Sequence, residues 1–120
     1  MAISHNTFYP QIFTGGVKTY PGHEPSAIQK SEVSTPLQLT KEGFSNDEQA
    51  DRRFHGGVDR ALCHYPREHY DYWGEQYPTS NCFRPAAFGE NLSTYGLTEE
   101  NAFMGDIYQL GEAIIQITQP

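Results

Sequence analysis

The chain has 120 residues, of which 37% are hydrophobic, and a formal net charge of -7 at pH 7. This length allows one domain with a single core. The acidic balance argues against nucleic-acid polymers and anionic membrane surfaces as partners, because both repel an acidic protein, but a small anionic ligand can still be bound locally. The N-terminal residues lack the basic start and apolar stretch of a secretion signal, which predicts a cytoplasmic protein.

The predicted elements are mostly β-strands, since short apolar runs are broken by Gly, Pro, Asn and Asp. In chain order, residues 11–13 and 17–20 flank a Gly15-Gly16 turn and are predicted to pair as a hairpin. Residues 27–33 and 37–39 are further predicted strands. Near the end of the chain, residues 107–110 and 113–118 surround Gly111-Glu112, a two-residue connection whose leading glycine suits a type II′ turn.

One main helix is predicted over about residues 66–77. Pro66 fits its first position, and Glu68 lies in the first turn, where the helix dipole favours a carboxylate. Three aromatic residues recur at helical spacing, namely Tyr70, Trp73 and Tyr77. They are predicted to form the face that packs on the sheet.

The run from His55 to Arg60 is the segment most suited to holding a ligand. Gly56 and Gly57 separate an imidazole from an Asp59-Arg60 pair, and glycine lets a backbone approach a partner closely. His55 either anchors a turn through backbone hydrogen bonds or contacts a ligand. Arg60 either pairs with Asp59 or holds an oxyanion through its guanidinium. The residues alone leave both alternatives open.

Two other segments carry polar groups. Gly89 permits a sharp turn, after which Glu90 and Asn91 present a carboxylate and an amide. An amide that both donates and accepts suits the edge of a heterocycle, and the alternative is an asparagine-stabilised turn. Residues 46–49 are predicted from their composition to form a solvated acidic loop.

The two cysteines have neither the spacing of a zinc site nor that of a disulfide framework, and both are predicted to be free thiols. Cys63 lies in an apolar stretch and is predicted to be buried. Cys82 is predicted to be reachable, and the nearby Arg84 makes it a weak candidate nucleophile.

Four motifs, in this order and at this spacing, resemble the MOSC domain family, and within it the bacterial YiiM-type proteins. They are NDEQA, FHGGVDRALCHYPREHYDYW, FGENLSTYGL and MGDIYQLGEAIIQITQP, and the similarity covers residues 10–120. The resemblance implies a single MOSC domain over residues 1–120, with a β-barrel-like fold of short strands and a few helices. It also implies a pocket for the molybdenum cofactor, a pterin dithiolene with a terminal phosphate.

The resemblance assigns cofactor-binding roles to residues of four segments. Those that would line or support the pocket are His55, Gly56, Gly57, Asp59 and Arg60, and those that would approach it from a second loop are Gly89, Glu90 and Asn91. Ser26 is carried over from a Lys-Ser pair of the family, although Pro25 replaces the lysine here. Asp47 matches the acidic residue of a Gly-Asp motif, with Asn46 in place of the glycine.

The decisive residue of MOSC domains is a cysteine in an Arg-x-Pro-Cys stretch, which is expected here directly after Pro120. The resemblance implies that this cysteine ligates molybdenum or carries a transferable sulfur. No catalytic or metal-ligating residue is therefore expected within residues 1–120, and the chain is expected to be part of a longer protein. If it ended at Pro120, the apolar strand at residues 114–117 would need the cover of a homodimer or of strand exchange.

For function, the resemblance implies a molybdenum-cofactor-dependent reductase of N-hydroxylated compounds, such as hydroxylaminopurine-type base analogues. Its electrons would come from a separate donor protein. One alternative is a sulfur carrier or sulfurtransferase that uses the cysteine beyond Pro120. Another is a non-catalytic cofactor-binding module. The polar, glycine-rich loops argue against a purely structural domain.

Overall fold

A computed structural model of the chain describes residues 3–4, 10–49 and 56–120. Its helices are a short 3₁₀ helix at Val58–Arg60 and α1 at Arg67–Gln76. Its strands are β1 (Ile3–Ser4), β2 (Gln11–Thr14), β3 (Lys18–Tyr20), β4 (His23–Ser26), β5 (Ser31–Val33), β6 (Leu39–Thr40), β7 (Gly43–Phe44), β8 (His64–Pro66), β9 (Leu92–Thr94), β10 (Ile107–Leu110) and β11 (Ala113–Gln116). The predicted class, mostly β with one main helix, is confirmed.

The strands form two sheets and two separate hairpins. The larger sheet has the order β5-β2-β9-β8 and the smaller one the order β1-β10-β11, while β3 pairs with β4 and β6 with β7. Over the described residues, strand pairing does not close these sheets into one barrel. The barrel-like description therefore applies loosely, and the fold is β-rich.

Strand β2 lies between β5 and β9 in the larger sheet, where Ile12 is opposite both Val33 and Leu92. The predicted hairpin between residues 11–13 and 17–20 is wrong, since β3 pairs with β4 instead. The chain that follows β2 is bound by the acidic segment at residues 46–49, because the Val17 N–H donates to Glu48 Oε1 at 3.1 Å. The strands predicted at 27–33 and 37–39 are shorter, at Ser31–Val33 and Leu39–Thr40.

The C-terminal hairpin of β10 and β11 is confirmed, with Leu110 opposite Ala113. Gly111 has a φ of 60° and Glu112 does not take a positive φ, which is the combination that a type II′ turn requires. Strand β11 ends at Gln116, earlier than predicted. Its Ile114 side chain is exposed.

Helix α1 follows β8 directly and begins at Arg67, one residue later than predicted, so that Pro66 is its N-cap and still has extended backbone. Tyr70 is buried, as its place in the aromatic stripe predicts, but Tyr77 is 54% exposed. The prediction of a fully packed stripe is therefore wrong at Tyr77, where the helix has already ended and the ring stacks on Trp73 at 6.3 Å between centroids. In the described part of the chain, no helix is long and apolar enough to cross a membrane.

Candidate functional site

Two of the polar segments meet at the end of the larger sheet where strands β8 and β9 begin. Strands β8 and β9 run parallel with His64 opposite Leu92, so the residues just before each strand are neighbours. The Asn91 N–H donates to the Cys63 carbonyl at 2.8 Å, and the Cys63 N–H donates to Asn91 Oδ1 at 3.0 Å. The segment that begins with the paired glycines is therefore fixed to the Gly89–Asn91 segment through the main chain.

The Asn91 side chain is buried, and every polar atom of its amide has a partner within the protein. Its Oδ1 accepts from Cys63, while Nδ2 donates to the Phe13 carbonyl at 3.1 Å and to Asp47 Oδ2 at 2.9 Å. The donor at Cys63 and the acceptor at Phe13 fix which end of the amide faces which neighbour. Asn91 therefore joins β2, β8 and β9, and in this arrangement its amide faces protein atoms.

Asp47 is buried as well, and the prediction of a solvated acidic loop is wrong at this residue. Its carboxylate and the Lys30 ammonium form an ion pair at 2.7 Å, with side chains 1% and 6% exposed. The same Oδ1 accepts from the Gly15 N–H at 3.0 Å. Burial of a carboxylate is favourable only when cations and donors replace the lost water, and here Lys30, Gly15 and Asn91 do so.

Glu90 is the most deeply buried polar residue of the site, with 0% exposure. The Tyr70 hydroxyl lies 2.7 Å from Oε1 and 2.5 Å from Oε2, and the Ala86 N–H donates to Oε2 at 3.0 Å. The Phe88 N–H donates to the Tyr70 oxygen at 3.2 Å. Burial, and then the hydrogen bond to Glu90, raise the pKa of Tyr70 above its ordinary value. Glu90 thus ties the loop of residues 84–89 to helix α1.

The loop before Glu90 has a strained and closely packed backbone. Ala86 has a φ of 75°, a region that residues with a side chain seldom adopt. Gly89 has a φ of 80°, and a Cβ added there would lie 2.6 Å from Ile28 Cγ1. Glycine is required at this position for both reasons. Ser26 helps to hold Ile28 against Gly89, because the Ser26 hydroxyl accepts from the Ile28 N–H at 3.1 Å.

The predicted ligand loop lies on the surface and contacts the end of the described chain. Gly56 and Gly57 have φ values of 85° and 82°, and Asp59 and Arg60 follow in the 3₁₀ helix. The Asp59 carbonyl accepts from the Thr118 hydroxyl at 2.7 Å, and Arg60 Nε donates to Gln119 Oε1. His55 lies outside the described residues.

Cys63 is exposed, so the prediction of a buried thiol is wrong. The apolar residues before it, Ala61 and Leu62, are themselves only half-buried because this segment runs along the surface towards β8. Desolvation by the protein on its inner side raises the pKa of the thiol, and the Glu90 carboxylate raises it further, whereas the Lys30 ammonium lowers it. Cys82 is exposed as predicted, with its sulfur 2.9 Å from the Ser80 hydroxyl.

The described site residues differ in whether their polar groups face solvent or the protein interior. Arg60 supplies an exposed cation beside two glycines, and a Cβ at Gly57 would meet nothing within 4 Å, so a small anion has room to approach this backbone. Asp47, Glu90 and Asn91 instead use their polar atoms inside the protein. Within the described ranges, no three His, Cys, Asp or Glu side chains are grouped so as to hold a metal ion.

The family model for the MOSC domain matches residues 51–120, more than half of the chain. The chain belongs to the MOSC domain family. This confirms the resemblance, since the matched range contains the Gly56–Arg60 loop, Cys63 and the Gly89–Asn91 segment.

Relatives of this MOSC chain include bacterial and fungal proteins. It is 55% identical over 114 residues to protein YiiM of Escherichia coli (strain K12), across 93% of this chain and 51% of YiiM. It is 34% identical over 114 residues to a Gibberella moniliformis protein named "Reductase", across 92% of this chain and 20% of that protein. The crystal structure of Escherichia coli YiiM matches with a TM-score of 0.69 and 44% identity, covering 91% of this chain and 43% of the other. The chain therefore spans about half of YiiM.

Sequence patterns did not identify several groups that build the site. Lys30 stands between polar neighbours and has the sequence context of a solvated lysine, and no periodicity connects it with Asp47. The Tyr70 hydroxyl was missed because the aromatic stripe predicts the position of the ring and says nothing of its polar end. Thr118 and Gln119 were predicted as strand or strand end, and their contacts with the Asp59-Arg60 loop depend on the tertiary fold.

Proposed function

We propose that this MOSC chain supplies one wall of a molybdenum-cofactor pocket in a reductase of N-hydroxylated compounds. The observation that carries the proposal is the convergence of loops at the end of the larger sheet. The loop with Arg60 continues into Cys63, which is fixed to Asn91, and Arg60 also contacts Gln119. An exposed cation beside flexible glycine backbone suits a phosphate. The similarity to a protein named "Reductase" favours reduction over sulfur transfer.

In this proposal, the residues of the site have two kinds of role. Arg60 and the backbone around Gly56 and Gly57 hold the cofactor's anionic end. Asp47, Glu90 and Asn91 position that wall from inside, since their polar atoms are bonded to Lys30, Tyr70 and the main chain. The cysteine that the resemblance places after Pro120 would then follow directly on residues that contact the Arg60 loop.

When bound, the cofactor would supply the two-electron redox chemistry that cleaves the N–O bond, and Arg60 with the backbone around Gly56 and Gly57 would hold it. The net reaction converts R–NH–OH, two electrons and two protons into R–NH₂ and water. The electrons come from a separate donor protein. The role of this chain is to bind and orient the cofactor.

The test of the proposed function uses the product of the complete coding sequence, purified from a host that makes the cofactor. We expect it to convert a hydroxylaminopurine-type base into the corresponding amine when an artificial reductant supplies electrons, as followed by chromatography of the base and its product. The matched control is the same protein from a host unable to make the cofactor, which should form no amine. A persulfide on the protein, without bound molybdenum and without amine formation, would contradict the proposal and favour the sulfur-transfer alternative.

A further inference from the structure

Lys30 is a buried cation to which neither the sequence patterns nor the family resemblance gives a role. Its side chain is 6% exposed, and its ammonium lies 2.7 Å from Asp47 Oδ1. A lysine is rarely buried to this extent unless it is paired, because the lost hydration must be replaced. The pair joins the segment before β5 to the acidic segment after β7.

The partner of Lys30 is also the partner of two other segments. Asp47 Oδ1 accepts from the Gly15 N–H at 3.0 Å, and Oδ2 accepts from Asn91 Nδ2 at 2.9 Å. Gln49 Nε2 adds a longer contact of 3.5 Å to Oδ2. With one cation and three N–H groups directed at it, the carboxylate is held in one orientation. That orientation sets where the Asn91 amide can donate.

The Asn91 amide connects the Asp47 carboxylate with Cys63 in the proposed pocket wall. One end contacts Asp47 and the Phe13 carbonyl, and the other accepts from the Cys63 N–H at 3.0 Å. If the carboxylate rotated away, Nδ2 would lose one of its two acceptors, and only the Phe13 carbonyl and the Cys63 N–H would still hold the amide. The amide could then shift, and its hydrogen bond with Cys63 would weaken. Buried polar networks of this kind specify a single arrangement only when every member is satisfied.

We propose that Lys30 is a positioning residue: by holding the Asp47 carboxylate it fixes the Asn91 side-chain amide. Together with the main-chain hydrogen bond between Asn91 and Cys63, that amide sets the placement of the Cys63 and Gly89–Asn91 segments against each other. This inference rests on the proposed function, because it makes Lys30 a determinant of cofactor retention without contact with the cofactor. It assigns the buried pair a role in the site as well as in stability.

The test compares Lys30→Met with Lys18→Met, since Lys18 is an exposed lysine on β3. In cofactor-free protein, we expect Lys30→Met to shift the NMR signals of the Gly15 and Cys63 backbone amides and of the Asn91 side-chain amide, whereas Lys18→Met leaves all three in place. In cofactor-loaded protein, Lys30→Met should retain about tenfold less pterin, the scale on which outer partners of a ligand site act. Pterin is measured by its fluorescence after denaturation.

A second readout uses the Cys63 thiol in a Cys82→Ser background. Because Lys30 lowers the pKa of Cys63, Lys30→Met should move the pH profile of Cys63 alkylation to higher pH. A loss of packing alone would relieve desolvation and move the profile the opposite way. Lys30→Arg, which keeps the cation, should restore the NMR signals and the pterin content, even if Lys30→Met folds poorly.

Two results overturn the inference: unshifted Asn91 and Cys63 signals in Lys30→Met, or shifted signals together with wild-type pterin retention. Failure of the proposed function has a different signature. In that case wild-type protein and Lys18→Met retain no pterin, whereas the shifts in Lys30→Met persist and still support the control of Asn91 by Lys30.

Discussion

Replacing Asp47 with alanine should lower the free energy of unfolding by about 3–5 kcal/mol, the range measured when one partner of a buried ion pair is removed. The reason is that Lys30 would remain buried without its counter-charge, while Gly15 and Asn91 would each lose an acceptor. A loss of this size is a large share of the stability of an ordinary domain. Urea denaturation followed by circular dichroism measures it.

The matched control for Asp47→Ala is Glu24→Ala on β4, because Glu24 is exposed. Its effect should stay within about 0.5 kcal/mol, as for most surface substitutions. The variant Lys30→Met/Asp47→Leu removes both charges and should recover part of the loss, because no unpaired charge is then buried. Equal stability of Asp47→Ala and Glu24→Ala would show that the buried pair does not hold the fold.

The second large effect is expected at the contact between Glu90 and Tyr70. Tyr70→Phe removes a hydrogen bond to a charged group and should cost about 1.5–3 kcal/mol. Glu90→Gln weakens the same contact and the one to the Ala86 N–H, and should cost a similar amount. Because both substitutions act on the same hydrogen bond, the double variant should be more stable than the sum predicts, with a coupling of about 1–2 kcal/mol.

The same contact predicts a loss of stability at high pH. The pKa of Tyr70 is raised in the folded protein, first by burial and then by Glu90. The folded state therefore keeps this proton when the unfolded chain has lost it, so the contribution is complete below about pH 10 and falls as the pH rises further. Denaturation curves at increasing pH should show a steeper decline for wild type than for Tyr70→Phe. The control, Tyr72→Phe at an exposed ring, should decline like wild type.

The sequence predicts the local parts of this fold well. The β10–β11 hairpin follows from one glycine at a two-residue turn, and α1 follows from the proline before it and from the aromatic spacing. The pairing of β2 could not be read in the same way. Gly15 and Gly16 have the composition of a hairpin turn, but the chain there is bound by Asp47 and Glu48, residues more than thirty positions away.

In the site as well, the local segments could be predicted from the sequence and the long-range contacts could not. The resemblance names the segments around Gly57, Asp47 and Asn91, but composition alone places residues 46–49 in solvent, because a carboxylate is expected in water unless its partner is known. The partner is Lys30, seventeen residues earlier. A buried ion pair between distant residues produces no periodic pattern in the sequence. Only the three-dimensional structure identifies it.

The central claim is that Arg60 and its glycine-rich loop hold the anionic end of a pterin cofactor. The most direct measurement is the pterin content per protein of wild type, Arg60→Ala and Arg84→Ala, each purified as the product of the complete coding sequence from a host that makes the cofactor. Arg84 is an exposed arginine outside the Gly56–Arg60 loop and serves as the control. We predict that wild type and Arg84→Ala retain pterin, while Arg60→Ala retains about tenfold less, as expected for loss of a hydrogen bond to a charged group. Equal retention by Arg60→Ala, or no pterin in wild type, would contradict the account.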